Sequence, residues 1–177
     1  RQTESWWQQF DGLALTGAYV GQKLTKIPSR IESFERFAQR FPAGRVLVPN
    51  NDGLRQYGRN PYRFYDAENG RPFLYFDDLP SDIPPMARVV IAQGYESRAY
   101  ALSKIAQVGV LKDGDLEISW TAGQNSALDN GLIAKGRDVG NIVVQRVNDA
   151  GERDDIVYDV TFAFVYHAFI ENGEIVQ

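Results

Sequence analysis

Apolar and polar positions alternate most clearly in IVYDVTFAFVYHAFI, near the end of the chain. In an extended chain, Val160, Phe162, Phe164, Tyr166 and Ala168 would share one face, and Thr161, Ala163, Val165, His167 and Phe169 the other. Both faces are mostly apolar, which predicts a central strand. RVVIA (Arg88 to Ala92), LEISW (Leu116 to Trp120) and NIVVQRV (Asn141 to Val147) predict three more strands, and KDGD marks a tight turn through Asp113 and Gly114. The spacing changes in PSRIESFERFAQRFPAG, where Ile31, Phe34, Phe37, Ala38 and Phe41 recur on one helical stripe. Ser29 and Glu32 stand at capping-box spacing before the stripe, and Pro42 with Gly44 closes it, so a helix with its phenylalanines in the core is predicted. LSKIAQVG predicts a shorter helix carrying Leu102, Ile105 and Ala106 on one face and stopping at Gly109.

The stretch from 49 to 85 fits neither period: it is rich in Gly, Pro, Asn and Asp, with Tyr and Phe scattered through it. A solvated linker has no use for so many rings, so a long ordered loop pinned onto the core is predicted, a place where ligand contacts often sit. At the start, Trp6 and Trp7 of RQTESWW predict a strand of the main sheet, with one ring on each side. Together these elements predict a β-rich α+β fold: a mixed, mainly antiparallel sheet or partly open barrel with one or two short helices and a long ordered loop.

Composition narrows the function classes. The 177 residues suffice for a single β-rich domain over 1–177 with a sizeable core. Lys and Arg number 19 against 23 Asp and Glu, a net charge of −4, with the signs interleaved, so no basic stripe points to nucleic acid. No run reaches the ~18 apolar residues of a membrane-spanning helix. With no cysteine, the chain offers neither a disulfide nor a thiolate nucleophile or metal ligand of its own.

Several polar groups are candidates for chemistry. His167, the one histidine, reads either as a proton shuttle or metal ligand, or as a buried imidazole satisfied by a carbonyl or carboxylate. In GRDVGN, Arg137 and Asp138 lie between glycines; Arg137 either presents its fork to an anionic ligand with Asp138 fixing its rotamer, or the two order a turn. In YGRNPY, Arg59 with Tyr57 and Tyr62 is a candidate pocket lining, while Asn60 and Pro61 form a turn by themselves. In GQNSALDN, Gln124, Asn125, Ser126 and Asp129 either bind a polar ligand or cap a turn. No Gly-x-Ser-x-Gly elbow surrounds Ser126, so it is not read as a nucleophile. Sheet pairing is expected to bring Arg137, Asp138 and His167 toward one cleft roofed by the aromatic loop, with Arg59 and Asn125 as further candidate ligand contacts.

RQTESWWQQFDGLALTGAYVGQKLTKIPSRIESFERFAQRFPAGRVLVPN, followed by YGRNPY, GQNSALD, GRDVGNIVVQR and YDVTFAFVYHAF, resembles the C-terminal part of the bacterial family catalogued as domain of unknown function 3179. The resemblance covers nearly the whole chain and rests on the order and spacing of several motifs. It implies an upstream portion of the same protein, carrying a signal peptide or anchor and a Cys-Pro-x-Cys motif in which selenocysteine sometimes replaces one cysteine. It also implies a periplasmic or otherwise extracytoplasmic location. On this expectation Arg1 corresponds to the middle of a family strand, and the chain is the back part of a longer protein. The family brings no established reaction and names no cofactor. Two functions follow: a ligand-binding or interaction module of an exported protein, whose partners are the upstream portion and another protein; or the supporting part of a redox or metal-handling enzyme whose Cys or Sec lies upstream.

Overall fold

A computed structural model describes residues 2–67 and 69–177, so the expectation about Arg1 lies outside the described residues. Trp6–Trp7 (β1) pairs antiparallel with Ala14–Thr16 (β2). A short helix, Phe34–Arg40 (α1), follows, and then a long connection broken by a 3₁₀ turn at Asp52–Leu54. Regular structure resumes at Arg88–Ala92 (β3) and Arg98–Ala101 (β4), which runs directly into Leu102–Val108 (α2). Val110–Asp113 (β5), Leu116–Thr121 (β6), Asn141–Val147 (β7) and Arg153–Asp155 (β8) form a four-stranded antiparallel meander in that order. Tyr158–Phe162 (β9), Ala163–Phe169 (α3) and Glu174–Val176 (β10) complete a second four-stranded sheet of order β10-β4-β3-β9, in which only β10 and β4 run parallel. The fold is therefore β-rich α+β and mostly antiparallel, with three short helices and no closed barrel among the described residues.

Alternation along the strands builds two cores. Val90 and Ala92 of β3, Tyr100 of β4 and the half-buried Tyr158 and Val160 of β9 face Leu116, Ile118, Ile142 and Val144 of the meander, with Leu102 and Ile105 of α2 packed between. Val89 and Ile91 point to the opposite side of β3, where Ala163 and Tyr166 of α3 cover them. The order is thus helix, sheet, sheet, and β3 has both faces buried, as its uninterrupted apolar run requires. Gly109 ends α2 at a φ of 75°, a left-handed conformation that suits glycine.

Three expectations are corrected. The run from Tyr158 to Phe169 is not one strand: it changes from β9 to α3 at Ala163. Both periods fit an apolar run this short, and helical winding here brings Ala163, Tyr166 and Ile170 to one side against β3 while leaving His167, Ala168 and Phe169 exposed. The ladder nevertheless reaches into the first turn of α3, whose Ala163 and Phe164 N–H groups donate to Ala87 and Pro85 carbonyls at 2.8 and 3.0 Å.

The second correction concerns α1. It begins after Ser33, not Ser29, because the Ser33 N–H donates to Asn141 Oδ1 at 2.7 Å and holds that residue extended at the cap. No residue of α1 is buried, and Phe34 is 68% exposed. Phe37 is half-buried and packs on Phe41, with ring centroids 5.6 Å apart, instead of entering the core. Third, Trp6 and Trp7 do form a strand, but in a small two-stranded hairpin separate from both four-stranded sheets. The Trp6 ring is accordingly 76% exposed, while Trp7 leans on Tyr19 at 6.1 Å.

The long connection is tied down where its main chain runs beside residues 128–132: Asn60, Phe64 and Tyr65 donate to the carbonyls of Gly131, Asp129 and Leu128 at 3.0, 2.7 and 3.1 Å. Tyr65 and Tyr75 rest on Phe162 and Phe164, with centroids 6.0 and 5.1 Å apart. Its other rings, Tyr57, Tyr62, Phe64, Phe73 and Phe76, are exposed. No helix among the described residues is long and apolar enough to cross a membrane.

Candidate functional site

The tie between the long connection and residues 128–132 has a chemical consequence. Asn60, itself buried, accepts from the Tyr62 N–H at 2.7 Å and donates through Nδ2 to the Asn130 carbonyl at 3.3 Å, an Asx turn that fixes the entry of the following residues. Four residues beyond Tyr62, the Asp66 side chain is fully buried. A carboxylate so deep must be paired, and it is: Ser126 Oγ donates to Oδ2 at 2.6 Å, Arg88 NH2 to the same oxygen at 2.8 Å, and Arg137 NH1 to Oδ1 at 3.2 Å. Arg137 also donates to the Asp66 carbonyl at 2.6 Å, and Asp129 accepts from the Arg137 N–H at 2.7 Å. Burial alone would push the Asp66 carboxyl up, but the bonds from Ser126 and Arg88 and the charges of Arg137 and Arg88 outweigh it and hold the group below its usual value.

Asp66 and Asp129 together balance Arg88 and Arg137, so this cluster carries no net charge. Its effect on Arg88 is positional. The guanidinium is held by Asp66 and by Ser126 Oγ, which accepts from NH2 at 3.1 Å, and it lies 5.5 Å over the Phe162 ring. Arg88 Nε, however, is buried with no partner among the described residues. One other buried side-chain atom shares that condition, Gln124 Oε1.

Arg88 and Gln124 line the same cavity of about 260 Å³. Its walls are Leu102, Val139, Ile142 and Val160, with Tyr158 and Asp159 beside them. Gly140 forms part of the wall because nothing larger fits: its φ is +76°, and a Cβ there would stand 1.9 Å from Trp120 Nε1. Tyr158 donates to the Ile142 carbonyl at 2.8 Å, and burial pushes its phenol up to about 12, so it stays neutral at ordinary pH. Ser29 and Ile31 complete the lining from an irregular strap between β2 and α1. The strap is pinned by Lys26 to Asp159 at 2.8 Å, by Arg30 Nε to Asp155 at 2.7 Å and by Ser33 to Asn141. This strap, not the aromatic loop, lines the cavity on that side; the loop's contribution is Asp66, which holds Arg88.

The candidate residues named from the sequence are placed as follows. Arg137 joins the Asp66 cluster. Asp138 organises a turn: its carboxylate accepts from the N–H groups of Gly123, Gln124 and Gly140 at 2.8, 3.1 and 2.8 Å. Burial works against its ionisation, but those three bonds hold the carboxyl below its usual value. Asn125 is exposed and bridges Asp138 through the main chain. Arg59 lies on an open groove with Asn60, Arg63 and Leu132. His167, exposed in the last turn of α3, lines a separate cavity with Asp82, Tyr166 and Glu171 that includes none of the other four candidates. The cavity beside His167 thus includes neither Arg137 nor Asp138, and the switch from β9 to α3 puts the histidine on a helix instead of a strand.

Two central residues, Asp66 and Arg88, escaped the sequence reading. Nothing around Asp66 in RFYDAENG distinguishes it from its acidic neighbours. Arg88 had a signal: one charge opening the otherwise apolar RVVIA needs a buried partner. No group of three or more His, Cys, Asp or Glu able to hold a metal occurs among the described residues. Residues 1–173 match the family described as "Protein of unknown function (DUF3179)". No curated protein and no solved structure matches the chain.

Proposed function

The chain belongs to the DUF3179 family of proteins of unknown function, and on that premise we propose that it is a ligand-binding module whose site is the cavity beneath the strap from Lys26 to Ser33. The observation that carries this reading is the coincidence of a buried, unpaired donor, Arg88 Nε, and a buried, unpaired acceptor, Gln124 Oε1, on residues lining one small cavity. Each such group is destabilising by about 1–3 kcal/mol when left alone, and folded proteins rarely leave two together without use. The Asp66 cluster supports the same reading, since it holds Arg88 in place without using Nε. An extracytoplasmic location, implied by the resemblance to the family, is part of the proposal.

The test compares wild-type protein with Gln124→Met after equilibration with the small-molecule filtrate of a cell extract, the retained compounds being released and identified by mass spectrometry. A compound retained by the wild type and lost from the variant supports the module. Identical retention by both, with both folded, refutes it.

A further inference from the structure

Where the long connection runs beside residues 128–132 it forms two adjoining grooves, and we propose that these dock an acidic peptide segment of a partner protein. Its carboxylates would lie on Arg59 and Arg63, and a large apolar side chain beside Phe64. The inference goes beyond the binding reading above, since the grooves share no lining residue with the strap cavity.

The first groove, of about 680 Å³, is lined by Arg59, Arg63, Gln56 and Asn130 among others. The second, of about 660 Å³, carries Arg71 with Tyr62, Phe73 and Leu128. Arg63 and Phe64 line both, so the polar groove and the aromatic one meet at those two residues.

Charge sets the sign of the partner. The described lining residues of the two grooves include three arginines and no carboxylate. All three arginines are exposed, and their side chains make no ion pair or hydrogen bond among the described residues. Exposed arginines of the sheets are answered within the chain: Arg98 by Asp113, Arg146 by Asp115 and Arg153 by Glu117. Asp129, whose carbonyl accepts from Phe64, spends its carboxylate on Arg137. In a chain of net charge −4, a face with guanidinium forks alone is complementary to carboxylates brought from outside.

The rings set the rest of the chemistry. Tyr62, Phe64 and Phe73 are exposed beside the arginines, and aromatic rings with arginines are the side chains that carry most of the energy of protein interfaces. Phe64 stands at a φ of 63°, a left-handed conformation that strains a bulky residue. It is held there by its N–H on the Asp129 carbonyl and by that of Tyr65 on Leu128, at 2.7 and 3.1 Å, and its ring is nevertheless 63% exposed. The buried Asn60 fixes the Tyr62 N–H in the same way. The main chain is thus set while the arginines and rings stay free, which lowers the ordering cost of binding.

Shape favours a peptide over the other anionic surfaces. A bilayer is met by groups that project beyond their surroundings, whereas adjoining grooves receive inserted side chains. Nucleic acid would bring a continuous row of phosphates to a chain that is negative overall.

The capped peptide Gly-Glu-Glu-Phe-Glu-Glu-Gly is the probe, titrated at low ionic strength into ¹⁵N-labelled protein and followed at the backbone amides of residues 56–64 and 128–132. Controls replace the phenylalanine by glycine, the glutamates by glutamine, or the glutamates by lysine. Saturable shifts at those amides are expected with a Kd on the order of 100 μM, weakened about tenfold in the glycine and glutamine peptides and absent with the lysine peptide. Arg59→Ala and Arg63→Ala should each weaken binding about fivefold or more and leave urea unfolding unchanged, since neither side chain holds another part of the described fold. No saturable shift below about 1 mM, equal binding of the lysine peptide, or unchanged binding in both variants overturns the proposal. Tighter binding of a single-stranded oligonucleotide or of anionic phospholipid vesicles, lost in the same variants, also overturns it and gives the face to that partner. Retention of a filtrate compound that depends on Gln124 is a separate readout, so failure here leaves the strap-cavity reading standing.

Discussion

Replacing Gln124 by methionine should make the ligand-free protein more stable. The Gln124 side chain reaches a place where its Oε1 is buried and unpaired. The backbone groups that anchor the residue, an N–H on Asp138 and a carbonyl on Val139, do not involve the side chain. Methionine has nearly the same length and shape, fills irregular apolar space and needs no hydrogen bond. Removing one buried unsatisfied acceptor is worth about 1–3 kcal/mol, and for a chain of 177 residues each kcal/mol moves Tm by roughly 2–4 °C. Urea unfolding with an unchanged m-value and calorimetry in ligand-free buffer would measure the gain. A loss of 1 kcal/mol or more would refute the reasoning, since Oε1 would then have a partner in solution that methionine cannot replace.

The Asp66 cluster should behave differently, since it is fully paired. Asp66→Ala leaves Arg88 without its carboxylate and Arg137 with Asp129 alone, and should lower stability by about 3–5 kcal/mol in urea unfolding; a loss below about 1 kcal/mol would show the cluster is not buried as described. The folded Asp66 carboxyl lies below its ordinary value, so its contribution is fully present above the unfolded value of about 3.9 and is lost as pH falls through the lower folded value. Wild-type stability should therefore drop more steeply with acidification below about pH 4 than that of Asp66→Ala, and equal slopes would contradict the sign. Gly140→Ala should destabilise by about 3 kcal/mol or more, combining a left-handed backbone with a clash against Trp120; near-neutral thermal unfolding would count against the cavity wall. Phe37→Ala should lower stability by only about 1 kcal/mol, because the ring is half-buried; a loss of 3 kcal/mol would put α1 in the core after all.

Much of the framework was legible without coordinates. β3 and β7 span the same residues that their apolar runs marked, and the Asp113–Gly114 turn joins β5 to β6. These signals are local: side-chain period, turn chemistry and helix-stopping glycine act within a few residues and need no distant partner. The stretch from Tyr158 to Phe169 was not legible in the same way, since both its strand and its helix faces are apolar, and the choice was made by what lay against it, namely the face of β3 that needed Ala163 and Tyr166 as cover. The phenylalanine stripe of α1 likewise announces a surface suited to burial, but burial depends on a second layer, and none of its residues is fully covered.

The site divides along the same line. The sequence alone determined which groups are available: no thiol, a single histidine, and Arg137 and Asp138 between glycines before a strand. It also determined that a charge at the head of RVVIA must be answered somewhere. Only the tertiary structure decided that Asp66, from a loop 22 residues earlier, answers it, that Asp138 is used up on a turn, that His167 leaves for the helical layer, and that Arg88 and Gln124 meet at one cavity with an atom each to spare. The physical reason is that pairing and desolvation depend on distance in space, to which separation along the chain is a poor guide once strands cross and loops fold back onto them.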